Sequence, residues 1–121
     1  MNVAVMGASN KTDRYSYKAV MMIREKGHQP FPVHPLLKDI EGIPVFAALG
    51  LVPVPMDVVT LYLGPAHQSR VAEEILVSRP RRVIFNPGAE NPLLAERLQS
   101  AGIEAVNACT LVMLQTGQFD F

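Results

Sequence analysis

The stretch VAVMGASNKT, residues 3–12, joins an apolar run to a polar turn and decides how the rest of the chain is interpreted. Four apolar residues lead into Gly7, and small and polar residues follow it. This pattern is typical of a buried strand that ends in a phosphate-binding turn, because glycine lets the backbone approach a ligand closely. The dinucleotide fingerprint G-x-G-x-x-G has glycine at two further positions, which Ser9 and Thr12 occupy here. The stretch therefore predicts a strand and a turn but leaves the ligand open.

Apolar runs typical of strands alternate with segments of helical periodicity along the whole chain. Strands are predicted at residues 2–6, 30–34, 44–46, 56–63, 81–86 and 103–108. Helices are predicted at residues 16–26, 65–79 and 92–102, with a last helical turn at 111–115. Such alternation indicates right-handed βαβ units and one α/β domain over residues 1–121. We expect a doubly wound parallel sheet of about five to six strands in a three-layer α/β/α arrangement.

The composition fits a single domain and excludes several classes of protein. Hydrophobic residues make up 49% of the 121 residues and charged residues 18%, so a core can form and disorder is not expected. Eleven basic and eleven acidic side chains cancel, so no net field favours a nucleic acid or an anionic membrane as partner. The single cysteine, Cys109, excludes an internal disulfide and favours a reducing compartment. No signal-peptide pattern is present, and a cytoplasmic location is expected.

Ligands of doubly wound sheets bind at the carboxyl ends of the strands, so the residues after each predicted strand are the candidate site. After the first strand, Gly7 permits close approach, and the backbone N–H groups of residues 8–11 are expected to converge on a phosphate. Ser9 adds a hydroxyl donor, and Lys11 and Arg14 add positive charge. The first strand end therefore predicts an anion site.

The second predicted strand end, VHPLLKD, discriminates between nucleotides. NAD sites usually carry an Asp or Glu there, which holds the ribose hydroxyls. Here His34, Pro35 and Lys38 follow the strand, and a carboxylate appears only beyond the proline, at Asp39. The basic side chains favour a phosphorylated ribose, which both the 2′-phosphate of NADP and the 3′-phosphate of coenzyme A provide.

The third and fourth strand ends extend the candidate site with apolar and amide-bearing residues. Leu63 and the Gly64-Pro65 turn allow a ligand to pass near the backbone at the start of a helix. Asn86, beside the Pro87-Gly88 turn, offers an amide to an amide-rich ligand such as a pantetheine arm. These residues predict a long site that crosses several strand ends.

His67 and Cys109 are the candidates for catalysis that lie near these strand ends. An enzyme that uses them as base and nucleophile requires both side chains in one pocket. The sequence identifies no partner for either, so no catalytic residue is assigned. Three histidines and one cysteine match no zinc-ligand spacing, so no metal site is predicted.

Taken together, the four strand ends resemble the CoA-binding domain family, a Rossmann-like module that also forms the first domain of the succinyl-CoA synthetase α subunit. The matching segments are VAVMGASNKTDRYSYKAV, PVHP with IEGIPVFAAL, MDVVTLYLGP, RVIFNPGAEN and AGIEAVNACT. They cover nearly the whole chain in order, and the small stand-alone members of the family look most similar.

The resemblance implies a coenzyme A site along these strand ends. The implied contacts are Gly7, Ala8, Ser9, Asn10 and Lys11 for the pyrophosphate, Pro35 and Lys38 beside His34 for the adenosine and its 3′-phosphate, Leu63, Gly64 and Pro65 for the adenine or pantetheine path, and Asn86, Pro87 and Gly88 for the pantetheine arm. The phosphorylated histidine of the synthetase belongs to a second domain with no counterpart among these residues. Coenzyme A binding is therefore expected, and ligase chemistry is not.

The favoured hypothesis is a non-catalytic binding module for coenzyme A or an acyl-CoA, with NADP as a less favoured ligand. A second hypothesis is an NAD(P)-binding module or redox sensor of the same fold. A third is a small enzyme that uses Cys109 or His67. A fourth is an interaction protein in which FAALGLVPVPM, residues 46–56, forms the surface of a homodimer or binds an unknown protein partner.

Overall fold

A central sheet of five parallel strands organises the computed structural model, which describes residues 1–121. The strands of the molecule, in chain order, are β1 (Asn2–Met6), β2 (Gln29–Val33), β3 (Asp39–Ile40), β4 (Ile43–Pro44), β5 (Val58–Leu61), β6 (Arg82–Phe85) and β7 (Glu104–Asn107). The central sheet has the order β2-β1-β5-β6-β7, and β3 and β4 form a separate antiparallel hairpin. Because the chain passes from β1 to β2 and then returns to the other side of β1, the topological switch point lies between β1 and β5.

Four α-helices cover the two faces of this sheet. They are α1 (Tyr15–Glu25), α2 (Ser69–Ser78), α3 (Pro92–Ser100) and α4 (Thr110–Gln115). Helices α1 and α4 pack on one face and α2 and α3 on the other, and each face has its own hydrophobic core. The predicted Rossmann-like, three-layer α/β/α fold is confirmed. None of the helices has the length and apolarity that crossing a membrane requires.

The central strands β1 and β5 are buried on both faces, as their consecutive apolar and β-branched residues predict. Alternate side chains of β5 enter opposite layers, with Val59 and Leu61 in the core under α2 and α3 and Val58 in the core under α1 and α4. Thr60 points to the same face of the sheet as Val58 and is fully buried, although it is polar. The same alternation decides which layer each side chain at a strand end enters.

Strand β2 lies at an edge of the sheet, and its prolines limit what can pair beyond it. Pro30 and Pro32 are oriented toward the outer edge, where they offer no N–H donors. Only Phe46 pairs there, donating its N–H to the Pro32 carbonyl and accepting from the His34 N–H, both at 3.0 Å. The strand predicted at residues 44–46 is therefore reduced to one bridge beside the hairpin, and the sheet has five strands.

The helix predicted at residues 65–79 is divided into two parts. A short 3-10 turn, Pro65–His67, comes first, and α2 begins after Gln68. The division arises because the Gln68 side chain turns into the protein, where it is fully buried and hydrogen-bonded to two loop carbonyls. The other predicted helices and sheet strands differ from those observed by at most two residues at each end.

Residues 46–56, the predicted dimer surface, are divided between the core and the surface. Leu49 and Met56 are buried, whereas Val54 is 40% exposed. Val54 and the exposed Val77 of α2 line a shallow groove of about 410 Å³. A homodimer or another partner at this groove stays a prediction.

Candidate functional site

Two clefts meet at the carboxyl edge of the sheet, beside the switch point between β1 and β5. The first cleft, of about 650 Å³, lies along residues 7–16, and the second, of about 460 Å³, lies between the end of β2 and α2. Both clefts are lined by Gly7, His34 and Leu63, where they adjoin. Of the other predicted site residues, the first cleft contains Ala8, Ser9, Asn10, Lys11 and Pro87, and the second contains Pro35. Those outside both clefts are Lys38, Gly64, Pro65, Asn86 and Gly88.

Gly7 is the residue that the first turn requires to be glycine. Its φ is +80°, in the left-handed region that favours glycine. A Cβ at this position would lie 3.0 Å from Cδ2 of Leu63 and 3.3 Å from the backbone carbonyl carbon of Tyr62. A side chain here would therefore crowd the point where the two clefts adjoin.

The backbone N–H groups after Gly7 are only partly free for a ligand. The Ala8 N–H donates to the Val33 carbonyl at 3.2 Å, and the Lys11 N–H donates to Oγ of Ser9 at 3.1 Å. The expectation that all the N–H groups of residues 8–11 converge on a phosphate is therefore wrong for these two. The N–H groups of Ser9 and Asn10 have no acceptor within the protein, and Ser9 Oγ keeps its own proton to donate.

The N-terminus of α1 adds positive potential to the first cleft, which Tyr15 and Ser16 of its first turn line. Arg14 stands at the N-cap position, no side chain caps the helix, and the first turn contains no acid. The N–H groups of this turn therefore lack the usual capping acceptor. Lys11 and Arg14 are exposed and form no ion pair, so their charges also remain available to an anion.

His34 organises the loop after β2 through one of its ring nitrogens. Its Nδ1 accepts the N–H groups of Leu36 at 3.0 Å and of Leu37 at 3.2 Å. The loop therefore occupies Nδ1, and Nε2 is the ring nitrogen that remains for a ligand. His34 lines both clefts where they adjoin, and its predicted contact with a phosphorylated ribose stays a prediction.

Lys38 lies at the base of the hairpin and lines neither cleft, although Leu37 before it lines the first cleft. Its side chain is exposed, and its carbonyl accepts the Val45 N–H at 3.0 Å at the base of the β3–β4 hairpin. The turn of that hairpin has φ of +51° at Glu41 and +81° at Gly42. The chain enters this hairpin directly after Leu37, which lines the first cleft, so Lys38 is outside the lining of both clefts and its contact with a phosphate stays a prediction.

The third strand end contributes Leu63 to both clefts, whereas Gly64 and Pro65 form the start of the 3-10 turn outside them. Gln68, which the sequence did not single out, connects this end to the next. Its Nε2 donates to the carbonyls of Leu63 at 2.9 Å and Ala89 at 2.6 Å. Gln68 thereby holds the loop after β5 beside the loop after β6.

Asn86, at the end of β6, is fully engaged inside the protein. It is 2% exposed, and its Nδ2 donates to Thr60 Oγ1 at 2.6 Å and to the Leu61 carbonyl at 2.9 Å. Its Oδ1 accepts the Thr110 N–H at 2.8 Å. The prediction that Asn86 contacts a pantetheine arm is therefore replaced by a structural role, in which the amide joins β5, β6 and α4.

The rest of the fourth strand end is divided in the same way. Pro87 lines the first cleft, whereas Gly88 is exposed outside it and donates its N–H to Oε1 of Glu90 at 2.8 Å. Of the fourth strand end, the candidate site therefore retains Pro87.

Tyr62 lines the first cleft and carries a buried hydroxyl group without a hydrogen-bond partner. The hydroxyls of Thr60 and Thr110 lie nearby, but they bond to each other at 2.7 Å. Burial raises the pKa of Tyr62 to about 12, although the two threonine hydroxyls partly oppose the shift. The phenol is therefore protonated throughout the physiological range.

Replacing this phenol by Tyr62→Phe is expected to raise the free energy of unfolding by about 1 kcal/mol, because a buried donor without a partner is removed. The gain should grow with pH. The phenol ionises near its ordinary pKa of 10.0 in the unfolded chain but only near about 12 in the folded protein, so wild type loses stability across this interval. Over this pH interval, wild type loses about 3 kcal/mol of unfolding free energy relative to Tyr62→Phe. Urea unfolding of both proteins at neutral and alkaline pH measures it, and parallel pH curves would contradict the assignment.

His67 and Cys109 do not share a pocket. His67 is exposed and lines the second cleft, whereas Cys109 is half-buried just before α4 and lines neither cleft. The hypothesis of an enzyme that uses both residues in one pocket is therefore wrong. No three His, Cys, Asp or Glu side chains come together in the arrangement that a metal ion requires.

A family model described as CoA binding domain matches residues 1–115. This chain belongs to the CoA binding domain family. The resemblance that the four strand ends indicate is confirmed. The match includes every residue that lines the two clefts of this CoA binding domain.

Solved structures share the fold of this CoA binding domain over nearly its whole length. A crystal structure of an uncharacterized protein is 40% identical, with a TM-score of 0.90, and the match covers 98% of this chain and 97% of that chain. Cell-free ID.343 from Thermus thermophilus is 26% identical, with a TM-score of 0.89 and coverage of 98% and 90%.

Two further similarities are partial. Dinucleotide forming acetyl-coenzyme A synthetase 1 of Ca. Korarchaeum cryptofilum, in complex with phosphate and ADP, is 18% identical with a TM-score of 0.74. That match covers 88% of this chain and 25% of the synthetase, and shows a common fold. The Bacillus subtilis (strain 168) uncharacterized protein YneT is 28% identical over 74 residues, which are 61% of this CoA binding domain and 55% of YneT.

Proposed function

We propose that this CoA binding domain binds coenzyme A or an acyl-CoA and catalyses no reaction of its own. The observation that carries the proposal is the turn at Gly7, where a Cβ would crowd Leu63 and the N–H groups of Ser9 and Asn10 have no acceptor. A pyrophosphate suits such a turn, because its oxygens accept hydrogen bonds from backbone N–H groups at close range.

Local positive charge supports an anionic ligand in a chain whose net charge is zero. Lys11 and Arg14 line the first cleft without an ion pair, and the uncapped N-terminus of α1 lies beside them. The Ser9 hydroxyl is a further donor. These groups together can offset the two negative charges of a pyrophosphate diester.

The arrangement of the two clefts supports a ligand with a pyrophosphate between two arms. The clefts adjoin at Gly7, where the proposed pyrophosphate lies, and extend from it in different directions. The second cleft has apolar walls that suit an adenine ring. The first cleft continues past Tyr62 to Pro87, a path for the pantetheine arm.

The second candidate function, an NAD(P)-binding module or redox sensor, has less support. An acid at the end of β2 is the group that would hold the ribose hydroxyls of NAD. His34 and Pro35 occupy that position, and the nearest carboxylate, Asp39, accepts the Gly42 N–H at 3.2 Å within the hairpin. NADP fits the site better than NAD does, because a phosphate replaces one of the ribose hydroxyls that an acid would otherwise hold.

The separate positions of His67 and Cys109 support the part of the proposal that assigns no catalytic activity. The proposal includes a cytoplasmic location, which the single cysteine supports because reducing compartments favour free thiols.

Parallel calorimetric titrations with coenzyme A, acetyl-CoA, NAD and NADP test the proposed function. We expect coenzyme A to bind in the micromolar range or more weakly, where 1 μM corresponds to about −8 kcal/mol. NAD should bind at least about tenfold more weakly, because no acid receives its ribose hydroxyls. Binding of NADP without binding of coenzyme A would support the second candidate instead.

A further inference from the structure

Helix α2 and the turn before it present a polar face to the second cleft. His67, Arg70, Val71 and Glu74 line the cleft at helical spacing. The opposite walls are mostly apolar and come from the end of β2 and from Ala47 and Ala48. The second cleft therefore combines walls that suit a purine ring with a polar helix face that suits the substituents of a ribose.

Arg70 is the one lysine or arginine that lines the second cleft, and its guanidinium has no partner in the protein. The side chain is exposed and forms neither an ion pair nor a hydrogen bond. Glu74 is one helical turn later and would ordinarily pair with it. However, Oε2 of Glu74 accepts the Gly50 N–H at 2.8 Å. Arg70 is therefore free to bind an anionic group of a ligand.

The position of the second cleft indicates which anionic group this is. A nucleotide whose pyrophosphate lies at Gly7 extends its adenosine into the adjoining second cleft. A phosphate on the ribose then needs a cation at the edge of apolar walls, and a planar guanidinium can bind two of its oxygens at once. Lys38, the cation that the sequence predicts for this task, lies outside the cleft.

We propose that Arg70 binds a phosphate monoester on the adenosine ribose of the ligand and thereby selects phosphorylated nucleotides over their unphosphorylated counterparts. The inference rests on the proposed function for the identity of the ligand, but the contact itself requires only a phosphorylated adenosine. Arg70 is a specificity-determining residue, because it contacts the part of the ligand that distinguishes coenzyme A from dephospho-CoA.

The test compares Arg70→Gln with Lys38→Gln, a matched removal of one exposed positive charge. Each variant is titrated with coenzyme A and with 3′-dephospho-CoA. We expect Arg70→Gln to weaken coenzyme A binding by about tenfold to a hundredfold, because a charge-assisted contact is lost. The affinity of Arg70→Gln for dephospho-CoA should change by less than about twofold. Lys38→Gln should change its affinities for coenzyme A and for dephospho-CoA by less than about twofold as well. Arg70→Lys should recover part of the discrimination.

Equal losses for both ligands in Arg70→Gln would overturn the inference while leaving the proposed function intact. A selective loss in Lys38→Gln would overturn it in favour of the hairpin lysine. Titrations with adenosine 3′,5′-bisphosphate, adenosine 2′,5′-bisphosphate and AMP separate the inference from the proposed function. Selective loss of the 2′-phosphorylated ligand alone would support the role of Arg70 but refute coenzyme A as the ligand. If wild type does not distinguish either bisphosphate from AMP, the inference is refuted.

Discussion

Asn86→Ala is expected to lower the free energy of unfolding by at least about 3 kcal/mol, because one truncation removes three buried hydrogen bonds. The Thr110 N–H loses its partner in a region that is closed to water, whereas the Leu61 carbonyl keeps the backbone N–H of residue 86 at 3.3 Å. Each buried group left without a partner costs about 1–3 kcal/mol, and a domain of this size has about 5–15 kcal/mol in total. The variant should therefore be close to the limit of folding.

Urea unfolding of wild type and Asn86→Ala measures this loss, and Asn107→Ala is the matched control. Asn107 pairs with Phe85 at the end of the neighbouring strand, and it is exposed and forms no side-chain hydrogen bond. Its truncation should change stability by less than about 0.5 kcal/mol. If Asn86→Ala were as stable as the control but failed to bind coenzyme A, Asn86 would be a ligand contact and not a structural one.

Gly7→Ala is expected to weaken coenzyme A binding more than about tenfold and to lower stability by about 1–3 kcal/mol. The methyl group would lie 3.0 Å from Cδ2 of Leu63, so Leu63 or the turn must move. Leu63 lines both clefts, and its displacement changes the point where they adjoin. The left-handed backbone at φ +80° adds strain for any residue with a side chain.

Gly102→Ala separates backbone strain from crowding. Gly102 has a φ of +81°, but a Cβ there has no atom within 4 Å, and the residue lies between α3 and β7, away from both clefts. This control should lose about 1–2 kcal/mol of stability through strain alone and bind coenzyme A as wild type does. Calorimetric titration and urea unfolding of both variants give the comparison. Wild-type affinity in Gly7→Ala would show that the turn is not the pyrophosphate site.

Much of the fold was predictable because local patterns in this chain agree with one another. The apolar runs at β1 and β5 have no polar alternation, which is expected only of strands covered on both faces. Pro30 and Pro32 are typical of an edge strand, and their missing N–H groups explain why only Phe46 pairs beyond it. What the patterns could not predict was the division of the helix at Gln68, since that depends on carbonyl groups distant in sequence.

The candidate site was predictable to the level of the strand ends, but not to the level of side-chain direction. Asn86 follows a predicted strand, and successive side chains of a strand point to opposite faces of the sheet. A change of one residue in position therefore decides whether the amide faces a ligand or the core. It follows Phe85, whose side chain enters the layer under α2 and α3, so Asn86 enters the opposite layer and meets Thr60. Arg70 was missed because it belongs to no motif, although it shares a helical face with Glu74.

The sequence by itself determined the alternation of strands and helices, the glycine turn after β1 and the family, because these depend on residues close together in the chain. Only the tertiary structure decided which cations and amides are free. The β3–β4 hairpin leaves Lys38 outside the lining of both clefts, Arg70 has no partner while Glu74 accepts the Gly50 N–H, and the contacts of Asn86 place it in the core. Each outcome depends on groups that are distant in sequence and come into contact only when the chain is folded. Local sequence patterns therefore cannot predict it.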